Sequence, residues 1–306
     1  MKLKFICITP EGEGFSLESP LEFRMIKSYS SPCTSVRLVA LCENEPREAR
    51  EFHVMDENGY IFNGYADKQS FEKSERGNIV TIEARGAGML LVDNEAVPGA
   101  YYNATMDRVM KKYVKNFRHF RSFLSTKETA YEVIISKGMS RWEAICHFAK
   151  IILGEKPYLR GDRDIVSGIF KKDYLIENPI EYKRIYNQSK IISAVVLRDE
   201  NGLYRKIFFS PFKKSKKLLR SRYYIEPREW QNQKSLSATD VFRSSLEDCQ
   251  LIELLLDGIR LWEIGDTVIF EGKRYVIKGI EISYFKSKMT TRLSLVTENE
   301  FLGRWE

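Results

Sequence analysis

Residues 79–117, IVTIEARGAGMLLVDNEAVPGAYYNATMDRVMKKYVKNF, constrain this chain most, because the hydrophobic period changes within them. Val80, Ile82 and Ala84 alternate with Thr81, Glu83 and Arg85. That period of two predicts a strand with one apolar face. Gly86 and Gly88 punctuate it, an apolar run over 89–92 stops at Asp93-Asn94, and Pro98-Gly99 marks a further turn. Tyr101-Tyr102 follow, and Asn103 or Thr105 can cap a helix. From there apolar residues fall at Met106, Val109, Met110, Tyr113, Val114 and Phe117, the spacing of one buried helical stripe. An antiparallel sheet therefore ends here and a helical segment begins.

The chain before this point reads as strands and turns. Leu3, Phe5 and Cys7 alternate on a first strand, which Pro10, Gly12 and Gly14 end. Leu21, Phe23 and Met25 make a second, Val36, Leu38 and Ala40 a third, and 52–55 a fourth. Asp56-Glu57-Asn58-Gly59 signals a hairpin into 60–65, and 75–78 is a further turn. Short strands joined by tight turns predict a small antiparallel barrel or sandwich over residues 1–88.

Residues 89–182 are mixed α/β. YEVII at 131–135 reads as a strand. Ser140 with Glu143 three residues on is a capping box for a helix whose stripe is Trp142, Ile145, Ala149, Ile152 and Leu153. Gly154 is its expected C-terminal cap. Residues 183–306 return to strands at 191–198, 203–209, 250–256, 267–271, 275–284 and 291–297, with a short helix at 238–247. The fold class expected is α+β, mostly β, in three parts: 1–88, 89–182 and 183–306.

The net charge of +7 is unevenly placed. Residues 183–234 carry 14 Lys and Arg against 4 Asp and Glu, so the remainder is net −3. Five scattered cysteines, odd in number and without CxxC, predict reduced thiols in a protein made in a cytoplasm. No apolar run approaches the ~18 residues of a membrane span, so no membrane insertion is expected, and the N-terminus lacks signal-peptide features.

In their order, three stretches resemble the baseplate hub proteins of contractile phage tails. This is the late-control, Mu-like hub family, related to the hub domains of type VI secretion spike proteins and to phage-tail-like bacteriocins. The first is ARGAGMLLVDNEAVPGAYYNATMDRVM (84–110), a strand-ending Ala-Arg followed by an aromatic-Asn and a helix start. The second is GMSRWEAICHFAKIILGEKPYLRGD (138–162), a capped Ser-x-Trp-Glu helix leading to an aromatic strand and Gly-Asp. The third is LWEIGDTVIFEGKRYVIKGIEISYFKSKMTTRLSLV (261–296), in which Ile264 stands where a Pro often precedes the Gly-Asp.

The resemblance implies two tail-tube-like antiparallel β-barrels per chain with a mixed α/β domain between them. Three such chains would form a homotrimeric ring of six similar barrels, matching a hexameric tail tube on one face and a trimeric central spike on the other. The partners implied are a second and third copy, the tail tube protein, the central spike protein and other baseplate proteins, with DNA contact only in passing. The place implied is the tail baseplate of a virion or tail-like particle, assembled in the bacterial cytoplasm. It implies no cofactor, metal or catalytic residue.

Individual residues carry weaker signals. His147 adjoins Cys146, but neighbours on a helix point about a hundred degrees apart, and no third ligand sits at metal spacing. His53 and His119 are isolated. Glu128 with Glu132, and Asp162 with Asp164, have carboxylate spacings a glycosidase could use, but neither pair sits in a supporting pattern. Gly86 and Gly88 form a Gly-x-Gly after a strand, yet an apolar run follows instead of a capped helix. A bulge or strand crossing accounts for them better.

The segment KIFFSPFKKSKKLLRSRYYIEPREW (206–230) reads two ways. Its aromatics and cations suit a single-stranded nucleic acid. They equally suit a β-hairpin whose aromatics each have a buried face. Its tip, Lys213, Lys214, Lys216 and Lys217 with Arg220 and Arg222 beyond, would then face a partner or a lumen. The hub is the reading adopted, with a nucleic-acid-binding protein using 206–230 as the alternative.

Overall fold

The computed structural model of the chain describes residues 3–75, 77–117, 119–199, 201–225 and 238–304. The end of the basic segment, 226–230, lies outside the described residues, as do Arg76 and Glu200 of two expected turns.

The first seven strands are β1 (Lys4–Ile8), β2 (Gly14–Leu17), β3 (Ser19–Ser28), β4 (Ser31–Cys42), β5 (Glu51–Asp56), β6 (Gly59–Ser74) and β7 (Gly77–Gly86). The alternation seen in the sequence sets their register. Val36, Leu38 and Ala40 of β4 face Ala84, Ile82 and Val80 of β7, and all six are buried. The expected hairpin at 56–59 joins β5 to β6. β2 was not expected, because Gly14 stands at its start.

The middle of the chain holds α1 (Met89–Val92), β8 (Gly99–Ala104), α2 (Met106–Tyr113), β9 (Arg121–Ser122), β10 (Ala130–Ile135), α3 (Arg141–Leu153), β11 (Tyr158–Arg160) and β12 (Asp164–Val166). The run at 89–92 is one helical turn. Of the two cap candidates for α2 it is Thr105 that accepts from the Arg108 amide, while Asn103 has a left-handed φ of 48°. Ser140 and Glu143 form the expected capping box, and Gly154 closes α3 at φ 70°. Met106, Val109, Met110 and Tyr113 pack with Ile145, Phe148 and Ala149 into a core of their own.

Next come β13 (Phe170–Ile176), β14 (Glu181–Tyr186), β15 (Ala194–Arg198), β16 (Tyr204–Phe209), β17 (Ser221–Ile225), α4 (Ala238–Leu246), β18 (Gln250–Asp257), β19 (Asp266–Phe270), β20 (Lys273–Phe285), β21 (Lys288–Val296) and α5 (Glu298–Phe301). β15 to α4 form a small unit with its own core of Ile191, Val195, Leu197, Phe212, Phe242 and Leu246. They are inserted between β14 and β18, which pair with each other.

Two runs of paired strands make up the main sheet. One runs β3-β4-β7-β6-β5-β1-β2, and the other β13-β19-β20-β21-β18-β14. They are joined along a seam where β20 pairs antiparallel with β3, setting Ile282 against Met25 and Ile280 against Lys27. The result is a single 13-stranded sheet with one apolar core, reaching from Phe5 through Met25 and Ile282 to Phe301. Among the described residues only β13 and β19 run parallel within it. The chain is thus mostly β, with large antiparallel sheets and few helices.

The basic segment is not the hairpin its sequence suggested. β16 and β17 do not pair with one another. Both flank β15, β16 antiparallel and β17 parallel. The reason lies in β15, which already pairs with β16 through the turn at 199–202. Residues 210–220 then cross to the far side of β15 and lay β17 along its free edge.

Candidate interaction surface

The lysines at 213–217 do not project as a strand tip. Lys213–Ser215 is a 3-10 turn held by Ser215, whose buried hydroxyl donates to the Phe212 carbonyl at 2.7 Å. Phe212 itself is buried in the inserted unit's core. Lys214 is drawn onto the body of the protein, where its Nζ lies 3.1 Å from Glu300 at the start of α5. Lys213, Lys216 and Lys217 are exposed, Lys217 with a left-handed φ of 67°. The Arg220 guanidinium turns back onto the Gln188 carbonyl, and exposed Arg222 reaches the Ser221 carbonyl at 3.3 Å. The six cations expected to act together are therefore divided. One is docked on Glu300, two lie on backbone carbonyls, and Lys213, Lys216 and Lys217 are exposed at and after the 3-10 turn.

The charged residues that the resemblance motifs contain converge elsewhere, where the middle of the chain meets the seam. Asp266 follows the Gly265 turn and is almost wholly buried. Its carboxylate accepts from Arg160 Nη2 at 2.6 Å, from the Tyr174 hydroxyl at 3.3 Å and from the Glu263 amide at 3.2 Å. Arg160 also donates to the Ile264 carbonyl at 3.1 Å and lies over the Phe170 ring. Nearby, Asp162 accepts from the Thr34 hydroxyl at 2.6 Å, and Glu263 accepts from Lys27 at 2.7 Å and from the Gly161 amide at 3.1 Å. Burial pushes the Asp162 carboxyl above its ordinary value, against Lys27 and the Thr34 hydrogen bond, which pull it down. These contacts clamp the turn between β11 and β12 onto both strand runs.

The glycines after β7 belong to the same junction. A Cβ on Gly88 would stand 2.1 Å from the Pro32 carbonyl oxygen, and one on Gly86 would stand 3.1 Å from the Asp162 carboxylate. The Gly-x-Gly thus marks a close backbone crossing, as the apolar run after it suggested. The two carboxylate pairs do not form sites together. Asp164 is bound by Arg121 through two hydrogen bonds of 2.7 Å, while Asp162 faces Thr34. Glu128 is exposed and Glu132 is buried in β10. Among the described residues no group of three or more His, Cys, Asp and Glu side chains could hold a metal ion, and no helix is long and apolar enough to cross a membrane.

A cleft of about 560 Å³ opens where the inserted unit meets the rest, lined by Tyr29, His147, Arg243, Lys278 and Phe301 among others. Tyr29 and Phe301 of this lining form an aromatic cluster with buried Tyr158, with ring centroids 4.6 to 5.6 Å apart. Sequence reasoning missed this cluster and the Arg160–Asp266 pair. The only signals were the Gly-Asp turns at 161–162 and 265–266, which say nothing of what they touch.

No protein-family model matches the chain, and no curated protein matches it by sequence. Solved structures do match in fold. A tail protein from Neisseria meningitidis MC58 superposes with a TM-score of 0.73 at 15% identity, over 100% of this chain and 99% of that one. The 43 kDa tail protein of prophage MuSo2 from Shewanella oneidensis gives a TM-score of 0.75 at 15% identity, over 98% of each chain. An E. coli type VI secretion system component that itself exhibits structural similarity to the T4 tail proteins gp27 and gp5 gives 0.59 at 9% identity, over 100% of this chain and 79% of that one. The chain therefore has the fold of these phage tail proteins.

Proposed function

We propose that this chain is the structural baseplate hub of a contractile phage tail or tail-like particle. Three copies would form a ring that joins the hexameric tail tube to the trimeric central spike. The observation that carries this reading is the end-to-end likeness in fold to two phage tail proteins, with 98–100% of this chain and 98–99% of theirs superposed. The two strand runs joined at the β3–β20 seam support it further. Two similar units per chain let a threefold assembly present six, which reconciles the two symmetries.

The mechanism is geometric and non-enzymatic. Among the described residues β2 and β14 each pair on one side only, which leaves an edge free for a strand of another copy or of the tube. The clamp around Asp266 and Asp162 keeps the middle of the chain fixed on both strand runs while load passes from tube to spike. The partners proposed are further copies, the tube protein, the spike and other baseplate proteins. The protein would be assembled in the bacterial cytoplasm and reside in the tail baseplate.

The test is the solution mass of the purified chain by light scattering, with negative-stain images, alone and with its cognate tube and spike proteins. A three-chain ring with a central hole is expected. A chain that stays monomeric with both partners present would sink the reading.

A further inference from the structure

The two strand runs repeat one another register for register. β3 to β7 stand in the order β3-β4-β7-β6-β5, and β14 with β18 to β21 in the order β14-β18-β21-β20-β19. Each strand therefore has a counterpart in the other run, and chain order is kept. Tyr65 of β6 pairs with Glu51 of β5 and with Arg85 of β7. Val276 of β20 pairs in the same way with Thr267 of β19 and with Val296 of β21. The ladder irregularity falls between Ala66 and Lys68 in β6 and between Ile277 and Gly279 in β20, at matching places. The two ladders also end alike, at Ser74 opposite Gly77 and at Phe285 opposite Lys288. Counting across the sheets, Met25 of β3 matches Arg184 of β14, through Val36 and Ile252.

This repeat says what fills an open edge. β20 runs on beyond its contact with β19 and pairs that side with β3, from Gly279–Ser28 to Phe285–Glu22. β6 likewise runs on beyond β5. There the Gln69 side chain holds the loop at 46–49, and from Ser70 to Lys73 the strand pairs, among the described residues, with β7 alone. β14, the counterpart of β3, pairs with β18 alone. The chain thus contains one complete seam and the two halves of a second, one half in each run, which do not pair with each other within the chain. Unpaired strand edges take up a strand of another chain, and a head-to-tail contact of this kind closes into a ring.

We propose that β14 of one copy pairs antiparallel with residues 70–73 of β6 in a second copy, as β3 pairs with β20 inside the chain. The inference rests on the ring proposed above and names the strands that close it. Transferring the internal register sets Ser70 opposite Ile185 and Glu72 opposite Lys183. The internal seam is held by Arg24, which binds Glu281 through two hydrogen bonds of 2.9 Å. Lys183 stands at the place of Arg24, and Glu72 supplies the acid from the facing strand; both are exposed. Apolar places match as well. Phe71 takes the position of Ile282 and Tyr182 that of Phe23, and Ile282 and Phe23 are buried at the internal seam. Tyr182, on the open edge, is 53% exposed.

The test is the solution mass of the full chain with its cognate tube and spike proteins. Glu72→Lys and Lys183→Glu should each raise the concentration at which half the chain is in rings by roughly tenfold or more, because every seam of the ring then sets like charges opposite one another. The two together should restore the parent's value. Ser70→Cys with Ile185→Cys, oxidised in the assembly, should give a ladder of linked chains ending at three on a non-reducing gel, which neither cysteine alone should give. Glu72 and Lys183 are exposed, so their variants should melt with the parent. A ring that neither reversal weakens, or that the cysteine pair does not link, overturns this inference and leaves the hub reading in place. A chain that stays monomeric with both partners present overturns both.

Discussion

Replacing Asp266 by Ala tests whether the junction between the middle of the chain and the seam is built as described. The carboxylate is 1% exposed and its partner Arg160 19% exposed, so the pair is shielded from water on one side and nearly so on the other. Removing the carboxylate leaves a guanidinium without its anion, and the Tyr174 hydroxyl and Glu263 amide without an acceptor. Breaking a buried pair in this way costs about 3–5 kcal/mol, most of it the desolvation of the abandoned charge. Arg160→Met should cost a similar amount for the converse reason. The double variant, Arg160→Met with Asp266→Ala, abandons no charge and should cost less than the sum by roughly 1–3 kcal/mol. Urea unfolding followed by tryptophan fluorescence reads all three. Trp262 is well placed to report, since it stacks on Tyr174 with centroids 4.3 Å apart. If Asp266→Ala shifts stability by less than about 1 kcal/mol at unchanged m-value, the pair behaves as a solvated surface pair and the junction argument fails.

Other consequences are quicker to check. The raised Asp162 carboxyl holds its proton more tightly in the folded chain than in the unfolded one. Its contribution is therefore full below the ordinary value of 3.8 and lost as pH rises through the folded value. Asp162→Asn, which can still accept from Thr34, should abolish that loss, and a stability–pH profile identical to the parent's would refute the assignment. Gly88→Ala should destabilise by about 1–3 kcal/mol, because the clash at Pro32 is with backbone that cannot rotate away. An unchanged melting temperature would contradict it. Burial pushes the Cys7 thiol up to about 12 and the Cys33 thiol to about 11, so these should resist iodoacetamide near neutral pH until the chain unfolds. Partly exposed Cys42 should react before them in the native protein, and equal labelling of all three would argue against the packing.

Much of the local structure was legible because it depends on near neighbours. The period of two over 80–85 set β7 and its buried face, and Ser140, Glu143 and Gly154 bounded α3 at both ends. Capping and alternation act within a few residues, so the sequence carries them directly. The basic segment shows the limit. Strands at 203–209 and 223–226 could be read from it, but not that 210–220 would cross β15 and pair β17 with it in parallel. That choice depends on which edge of β15 is free and on α4 covering one face, both settled by residues distant in sequence.

The amino-acid sequence by itself thus determined strands such as β4 and β7, the helices α2 and α3, which side of each is apolar, and where the positive charge collects. Only the tertiary structure decided that β20 closes onto β3, joining strands more than 250 residues apart into one sheet. It alone placed Arg160 against Asp266 and turned Tyr204 and Tyr223 outward together. The physical reason is one of range. Period and capping are properties of the local backbone, whereas seams, buried ion pairs and exposed faces depend on which long-range pairings bury the most apolar surface at once.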